Sequence, residues 1–172
     1  MKKFFLILAG AVLCCTGIFA QTPAGGVPEQ DPTWEQSCTS IMAGRLASKD
    51  GAVITSHTCD GKYRTWTYME PAADHAPGAL HALQKGTMKT NFRGDTTGVR
   101  TLGYIPEALH TYAYLNSCYP AINEKNLGIG ETTFNGPDTL RSDRGLFMVE
   151  ELQRVALQRC ATAREAVLLM GS

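Results

Sequence analysis

From residue 38 onward, apolar and polar residues alternate in short runs, and towards the end of the sequence the spacing lengthens to that of a helix. Cys38 to Arg45 reads as a strand, Lys49-Asp50-Gly51 as a turn, and Ala52 to His57 as the returning strand. Together they predict a β-hairpin over residues 38–57. A third strand is expected at Tyr63–Tyr68, with Arg64, Trp66 and Tyr68 on one face and Tyr63, Thr65 and Thr67 on the other. Residues 71–105 carry Pro71, Pro77 and several glycines with little periodicity, which predicts a long loop of the kind that often binds something. Tyr112 to Ile122 and Leu127 to Phe134 read as a second hairpin, turned at Asn123-Glu-Lys-Asn126. Leu146, Val149, Leu152, Val155, Ala156 and Cys160 then fall at helical spacing behind Ser142-Asp143, a suitable N-cap. Thr162 and Glu165 form a capping box for a second helix that runs to about Met170, before Gly171. The order predicts an α+β fold, antiparallel strands first and two helices after. Four or five strands with two helices on one side leave the other sheet face uncovered, so either the hidden faces find partners or the pattern is the front part of a longer protein.

The first 37 residues carry a different pattern. Lys2 and Lys3 precede an apolar run from Phe4 to Val12, too short to span a bilayer, and Ile18-Phe19-Ala20 suits signal cleavage. Residues 1–20 are therefore read as a signal peptide. A lipid anchor is the alternative, because Cys14 and Cys15 follow the apolar run, but neither has a small residue before it. Residues 21–37, rich in Pro, Gly, Gln and acids, read as a leader or propeptide, and residues 38–172 as the domain. The expected location is the periplasm or beyond, with no membrane span.

Composition narrows the functional classes. Sixteen basic residues balance sixteen acidic ones, which gives no electrostatic case for nucleic acid or a membrane surface. Beyond the signal lie four cysteines, Cys38, Cys59, Cys118 and Cys160. In an oxidising compartment two disulfides are the simplest use of them. If Cys38 stays free, at most one bridge forms.

The chemistry centres on Cys38. Cleavage before it, between Ser37 and Cys38, would give one residue both a thiol and an α-amine. That amine titrates at about 7.7–8.0, so it can take the thiol proton near neutral pH. The alternative is a structural cysteine in a disulfide. Hairpin pairing brings His57 and Asp60 near Cys38, where they could orient the thiol and amine. A metal site of His57, Cys59 and Asp60 lacks zinc-ligand spacing and a fourth ligand, so no metal or cofactor is expected. On Glu131-Thr132-Thr133, the hydroxyls could donate to a developing oxyanion and Glu131 could bind a substrate amine. His75, His81 and His110 show no partner pattern and read as surface or loop residues. The Trp66 and Tyr68 face reads as core or pocket wall.

Cys38-Thr-Ser-Ile, Ala47-Ser-Lys-Asp-Gly51, Asn123-Glu-Lys, Gly130-Glu-Thr-Thr133, Gly145-Leu-Phe, Glu150-Glu-Leu and Ala161-Thr-Ala-Arg-Glu-Ala166 occur in this order. In that order they resemble the bacterial cysteine dipeptidases of the N-terminal-nucleophile (Ntn) hydrolase superfamily. Penicillin V acylase and bile salt hydrolase resemble it more distantly, through the leading Cys and the Asn-Glu-Lys turn. The resemblance implies an αββα sandwich, an autocatalytically exposed Cys38 and hydrolysis of dipeptides or small peptides through an acyl-enzyme. It implies that Cys38 is the nucleophile and Asp60 the aspartate beside it. It also brings Asn123 and Thr133 into the substrate and oxyanion region, Thr133 standing close to where the acylases carry an oxyanion Asn. Relatives carry Arg where this chain has His57. They usually run to several hundred residues, so the resemblance covers the amino-terminal portion and implies weak activity for these 172 residues alone. The alternatives are an Ntn acylase acting on a penicillin or bile-salt amide, and an exported binding module with Cys38 in a disulfide.

Overall fold

The computed structural model describes residues 38–59, 61–132, 137, 139, 142 and 144–172. The first hairpin is present. Strands β1 (Cys38–Ala43) and β2 (Ile54–Cys59) pair antiparallel, with Cys38 opposite Cys59 and Ser40 opposite His57. Side chains within the turn hold the connection: Ser48 Oγ donates to Ala52 O at 2.6 Å, and the Ala52 N–H donates to Asp50 Oδ1 at 3.1 Å. Because strand side chains alternate, Cys38, Ser40, His57 and Cys59 share one face.

The segment expected to be a loop at 71–105 is instead most of a long antiparallel ribbon. β3 (Tyr68–Glu70) pairs with β8 (Tyr114–Asn116), β4 (Ala73–Asp74) with β7 (His110–Thr111), and β5 (Leu80–Lys85) with β6 (Arg100–Pro106). The prolines and glycines that suggested a loop sit at the breaks. Pro71 separates β3 from β4, and Pro77-Gly78 separates β4 from β5. The far end closes at Gly86, whose φ of +99° is left-handed. A Cβ there would lie 2.6 Å from Gly98 O, so the two backbones meet only because residue 86 has no side chain.

Two other expectations shift. Tyr63–Thr67 joins no ladder, and pairing begins at Tyr68. The predicted faces hold nevertheless: the Arg64 guanidinium lies 3.9 Å from the Trp66 ring centroid, and Trp66 stacks on Tyr68 at 5.6 Å. The second hairpin reduces to its turn. Tyr114–Asn116 is claimed by the ribbon, leaving isolated bridges from Ile122 to Gly128 and from Tyr114 to Asn123. Asn126, at φ 59°, supplies the left-handed residue this turn needs. Phe134 lies outside the described residues.

Helix α1 (Val149–Arg159) and helix α2 (Ala163–Met170) follow. α1 starts later than Ser142-Asp143 predicts: Met148 is its N-cap, with no side-chain cap. Ser142 Oγ accepts from the Arg144 N–H at 3.2 Å, serving a local turn, and Asp143 lies outside the described residues. Leu146 and Phe147 remain partly exposed, so packing against the ribbon, not cap chemistry, decides where the helix begins. α2 carries the predicted capping box complete, with the Glu165 N–H donating to Thr162 Oγ1 and Glu165 Oε2 accepting from the Thr162 N–H.

α1 lies against β5, β7 and β8. Tyr114, Leu127, Ala156, Leu157, Cys160 and Ala166 form the buried cluster, flanked by Ile129, Leu169 and Met170. Beside it runs a buried ionic chain. His81 meets Glu107 through Nδ1 and Glu151 through Nε2, both at 3.0 Å, Arg154 binds Glu151 at 2.7 Å, and Arg159 binds Glu107 at 3.1 Å. His81 is therefore no surface residue but the tie between ribbon and helix. The hydrogen bond to Glu151 raises its pKa, burial opposes this, and Glu107 adds to the rise. Burial works to raise Glu107, yet the Ala108 N–H, His81 and Arg159 outweigh it and hold that carboxyl below its ordinary value. His75 and His110 are also paired, with Thr111 Oγ1 at 3.0 Å and Asp74 Oδ1 at 2.7 Å. The architecture is a small α+β arrangement of antiparallel strand pairs with two helices, and not a barrel. Among the described residues, no helix is long and apolar enough to cross a membrane.

Candidate active site

Cys38 opens β1, and the hairpin register fixes what surrounds it. Cys59 stands directly across the ladder, and Ser40 and His57 form the next pair on the same face. The turn at 123–128 then lays the following segment over this face. Gly130 lies beside His57 and Ser40, and Thr132 Oγ1 reaches the Cys38 carbonyl at 3.5 Å. In consequence Glu131 meets the thiol: Cys38 Sγ donates to Glu131 Oε1 at 3.4 Å. His57 Nε2 lies 4.0 Å from the same oxygen, while His57 Nδ1 shares a 2.7 Å hydrogen bond with Ser40 Oγ.

The cluster is largely enclosed. The side chains of His57 and Glu131 are 20% and 9% exposed, so a charge on either interacts more strongly here than in open water. His57 Nε2 is buried and has no hydrogen-bond partner among the described residues. One donor atom each from Cys38, His57 and Glu131 lies within 4.8 Å of the others, close enough to share a metal ion.

The two facing thiols are not equivalent. Burial pushes Cys59 up to about 12, helped by the neighbouring Cys38 and Cys118 thiols and by Glu131. At neutral pH Cys59 stays a thiol, and a thiol is neither nucleophile nor ligand. All four described cysteines are free. Tyr119 stands within electrostatic reach of Cys59 and Glu131, and burial, followed by its hydrogen bond to Tyr63, pushes its phenol up. The two rings meet edge to face at 5.4 Å.

Of the residues expected at the site, Cys38, His57 and Glu131 come together. Asp60, Thr133 and Ser37 lie outside the described residues. Asn123 does not join them. Its Nδ2 donates to Leu157 O at 2.7 Å and Cys160 O at 2.8 Å, and its Oδ1 accepts from the Lys125 and Leu127 N–H groups, both at 3.0 Å. Two donors and two acceptor sites are all that a primary amide offers, so nothing remains for a substrate. Sequence reasoning missed Ser40 and Tyr119. Ser40 was findable, since strand alternation puts it on the Cys38 face; Tyr119 comes from a distant turn with no local signal.

A separate cavity of about 360 Å³ is lined by Arg64, Trp66, Tyr68, Asn116 and Arg154 among others, and by none of the Cys38 cluster. Of the two readings open for the Trp66 and Tyr68 face, core or pocket wall, it is pocket wall. No protein-family model, no curated protein and no solved structure matches this chain.

Proposed function

We propose that this chain is an exported cysteine dipeptidase of the Ntn-hydrolase type, with Cys38 as its nucleophile. The observation that carries the reading is the meeting of a strand-initial thiol with a mostly buried carboxylate, Cys38 Sγ to Glu131 Oε1 at 3.4 Å. Cleavage of the Ser37–Cys38 bond would place an α-amine on the same residue as the thiol. The amine takes the thiol proton, and the sulfur adds to the substrate carbonyl carbon. The C–N bond then breaks, and the ammonium returns the proton to the leaving amine. Water hydrolyses the resulting thioester and regenerates the thiol. Glu131 supplies the negative charge that a dipeptide's own α-ammonium would seek, which favours a free-amine substrate over an acylated one. His57, held by Ser40, presents its imidazole beside the cluster to orient the thiol and the amine. Asp60 and Thr133, which lie outside the described residues, carry the roles that the resemblance implies for them. The strands and helices described here would form part of an αββα sandwich.

The test is affinity labelling with a dipeptidyl electrophile. A dipeptide carrying a chloromethyl ketone and a free amine should alkylate Cys38 at least ~10-fold faster than its N-acetyl form, the gain expected of one charge-assisted contact. Glu131→Gln should remove the difference. Preference for the N-acetyl probe would favour an acylase of the penicillin V or bile-salt type. Labelling of Cys118 or Cys160 in place of Cys38 would refute the assignment.

A second reading has one observation behind it. Cys38 and Cys59 are directly opposed in the ladder, so an exported binding module could hold them as a disulfide.

A further inference from the structure

Cys38, His57 and Glu131 make a donor set of a kind that carboxylate hydrogen bonding alone does not require. We propose that these three side chains bind a Zn²⁺ ion, through Cys38 Sγ, His57 Nε2 and one Glu131 carboxylate oxygen, with the fourth position left to water.

Four observations carry the proposal. The first is geometric. A tetrahedral zinc with ordinary bond lengths holds its sulfur, nitrogen and oxygen ligands about 3.3–3.6 Å apart. Cys38 Sγ and Glu131 Oε1 already stand 3.4 Å apart. His57 Nε2 and Glu131 Oε1 stand 4.0 Å apart, and the three donor atoms all lie within 4.8 Å of one another, so an ion bound between them draws the imidazole inward. The second is the orientation of the imidazole. Its Nδ1 is engaged by Ser40 Oγ at 2.7 Å, and with a proton on Nδ1 the lone pair on Nε2 faces the thiol and the carboxylate. Metal-bound histidines are held from behind in this way. The third is that Nε2 is buried without a hydrogen-bond partner among the described residues, a cost that a ligand bond removes. The fourth is rigidity. Cys38, Ser40 and His57 are fixed by one hairpin register, and Glu131 is laid over them by the turn that Asn123 holds.

The donor types select the ion. A thiolate, an imidazole and one carboxylate suit zinc, and the set has too few oxygens for calcium or magnesium. Sequence spacing did not reveal the site because Glu131 is 93 residues from Cys38. Binding displaces the Cys38 proton to solvent and leaves the sulfur as a metal-bound thiolate. If Cys38 is the nucleophile, the same ion withholds it from substrate; the metal proposal itself needs no turnover and stands whether or not the chain cleaves dipeptides.

The test is titration of the reduced full chain with Co²⁺ under argon. One equivalent should give thiolate-to-cobalt charge-transfer absorption and strong tetrahedral visible bands, both lost on adding Zn²⁺. Cys38→Ser should abolish the charge-transfer band. His57→Ala and Glu131→Gln should each weaken binding at least tenfold, and Ser40→Ala by about tenfold, the loss expected when a supporting hydrogen bond is removed. In the unmodified chain, one equivalent of Zn²⁺ should slow alkylation of Cys38 by iodoacetamide, a measurement that no variant's folding can obscure. A charge-transfer band that survives Cys38→Ser, or Cys38 alkylation that zinc leaves unchanged, overturns the proposal.

Discussion

Asn123 offers the sharpest test of how the fold is held. The residue is 5% exposed, and its side chain makes four hydrogen bonds that join the 123–128 turn to the end of α1. Asn123→Ala removes all four at once. The Leu157 and Cys160 carbonyls lose their amide donors, and the Lys125 and Leu127 N–H groups lose their acceptor. Each neutral bond contributes about 1 kcal/mol, and a buried partner left unsatisfied costs about 1–3 kcal/mol. Lys125 N is only partly buried and can turn to water, so the expected total is about 3–5 kcal/mol. That is a large share of the 5–15 kcal/mol typical of whole domains. Asn123→Asp keeps the acceptor and loses both donors, and it sets a carboxylate against two carbonyls. It should cost at least half as much. Urea unfolding followed by far-ultraviolet circular dichroism measures both, with an unchanged denaturant slope confirming that the folded state is the one compared. A loss below about 1 kcal/mol for Asn123→Ala would refute the clasp and return Asn123 to the list of substrate-facing residues.

Three further outcomes follow from the same structure. His81 is held above its ordinary 6.5, so its contribution is complete below that value and fades as pH rises through the raised one, while Glu107, held below its ordinary 4.5, contributes above 4.5 and loses that contribution as pH falls. Urea midpoints should therefore peak between about pH 4.5 and 6.5, with His81→Gln flattening the alkaline side; an identical alkaline side in that variant would contradict the ionic chain. Gly86→Ala should cost at least ~2 kcal/mol, from a left-handed φ and a 2.6 Å approach to Gly98 O, and an unchanged melting temperature would contradict the ribbon's closure. Thr162→Ala should cost about 1 kcal/mol through loss of the α2 cap, while Thr162→Ser should retain most of it, both read by thermal unfolding.

What the sequence revealed was local. The 38–57 hairpin followed from alternation around a Lys-Asp-Gly turn, and the α2 cap from two residues three apart, because each signal lies within the element it specifies. The ribbon was illegible for the opposite reason. Its strands are two to seven residues long, broken by Pro71 and Pro77, and each is completed by a partner that no local pattern names. His81 looked unpartnered because Glu107 and Glu151 are 26 and 70 residues away. Asn123 was misplaced for a subtler reason. An Asn-Glu-Lys turn reads the same whether its amide faces a substrate or the backbone, and only the end of α1 shows which. Cys38, His57 and Glu131 were each legible as chemistry, but the distance between thiol and carboxylate depends on the path of the chain between them.

The central claim is that Cys38 is a processed, free and reactive N-terminal thiol, and intact mass with N-terminal sequencing of the exported protein tests it most directly. The account predicts a mature chain that begins at Cys38 and takes up iodoacetamide at that residue once bound metal is removed by chelation. A mature chain that begins at Gln21, with Cys38 joined to Cys59 in a disulfide, would contradict it.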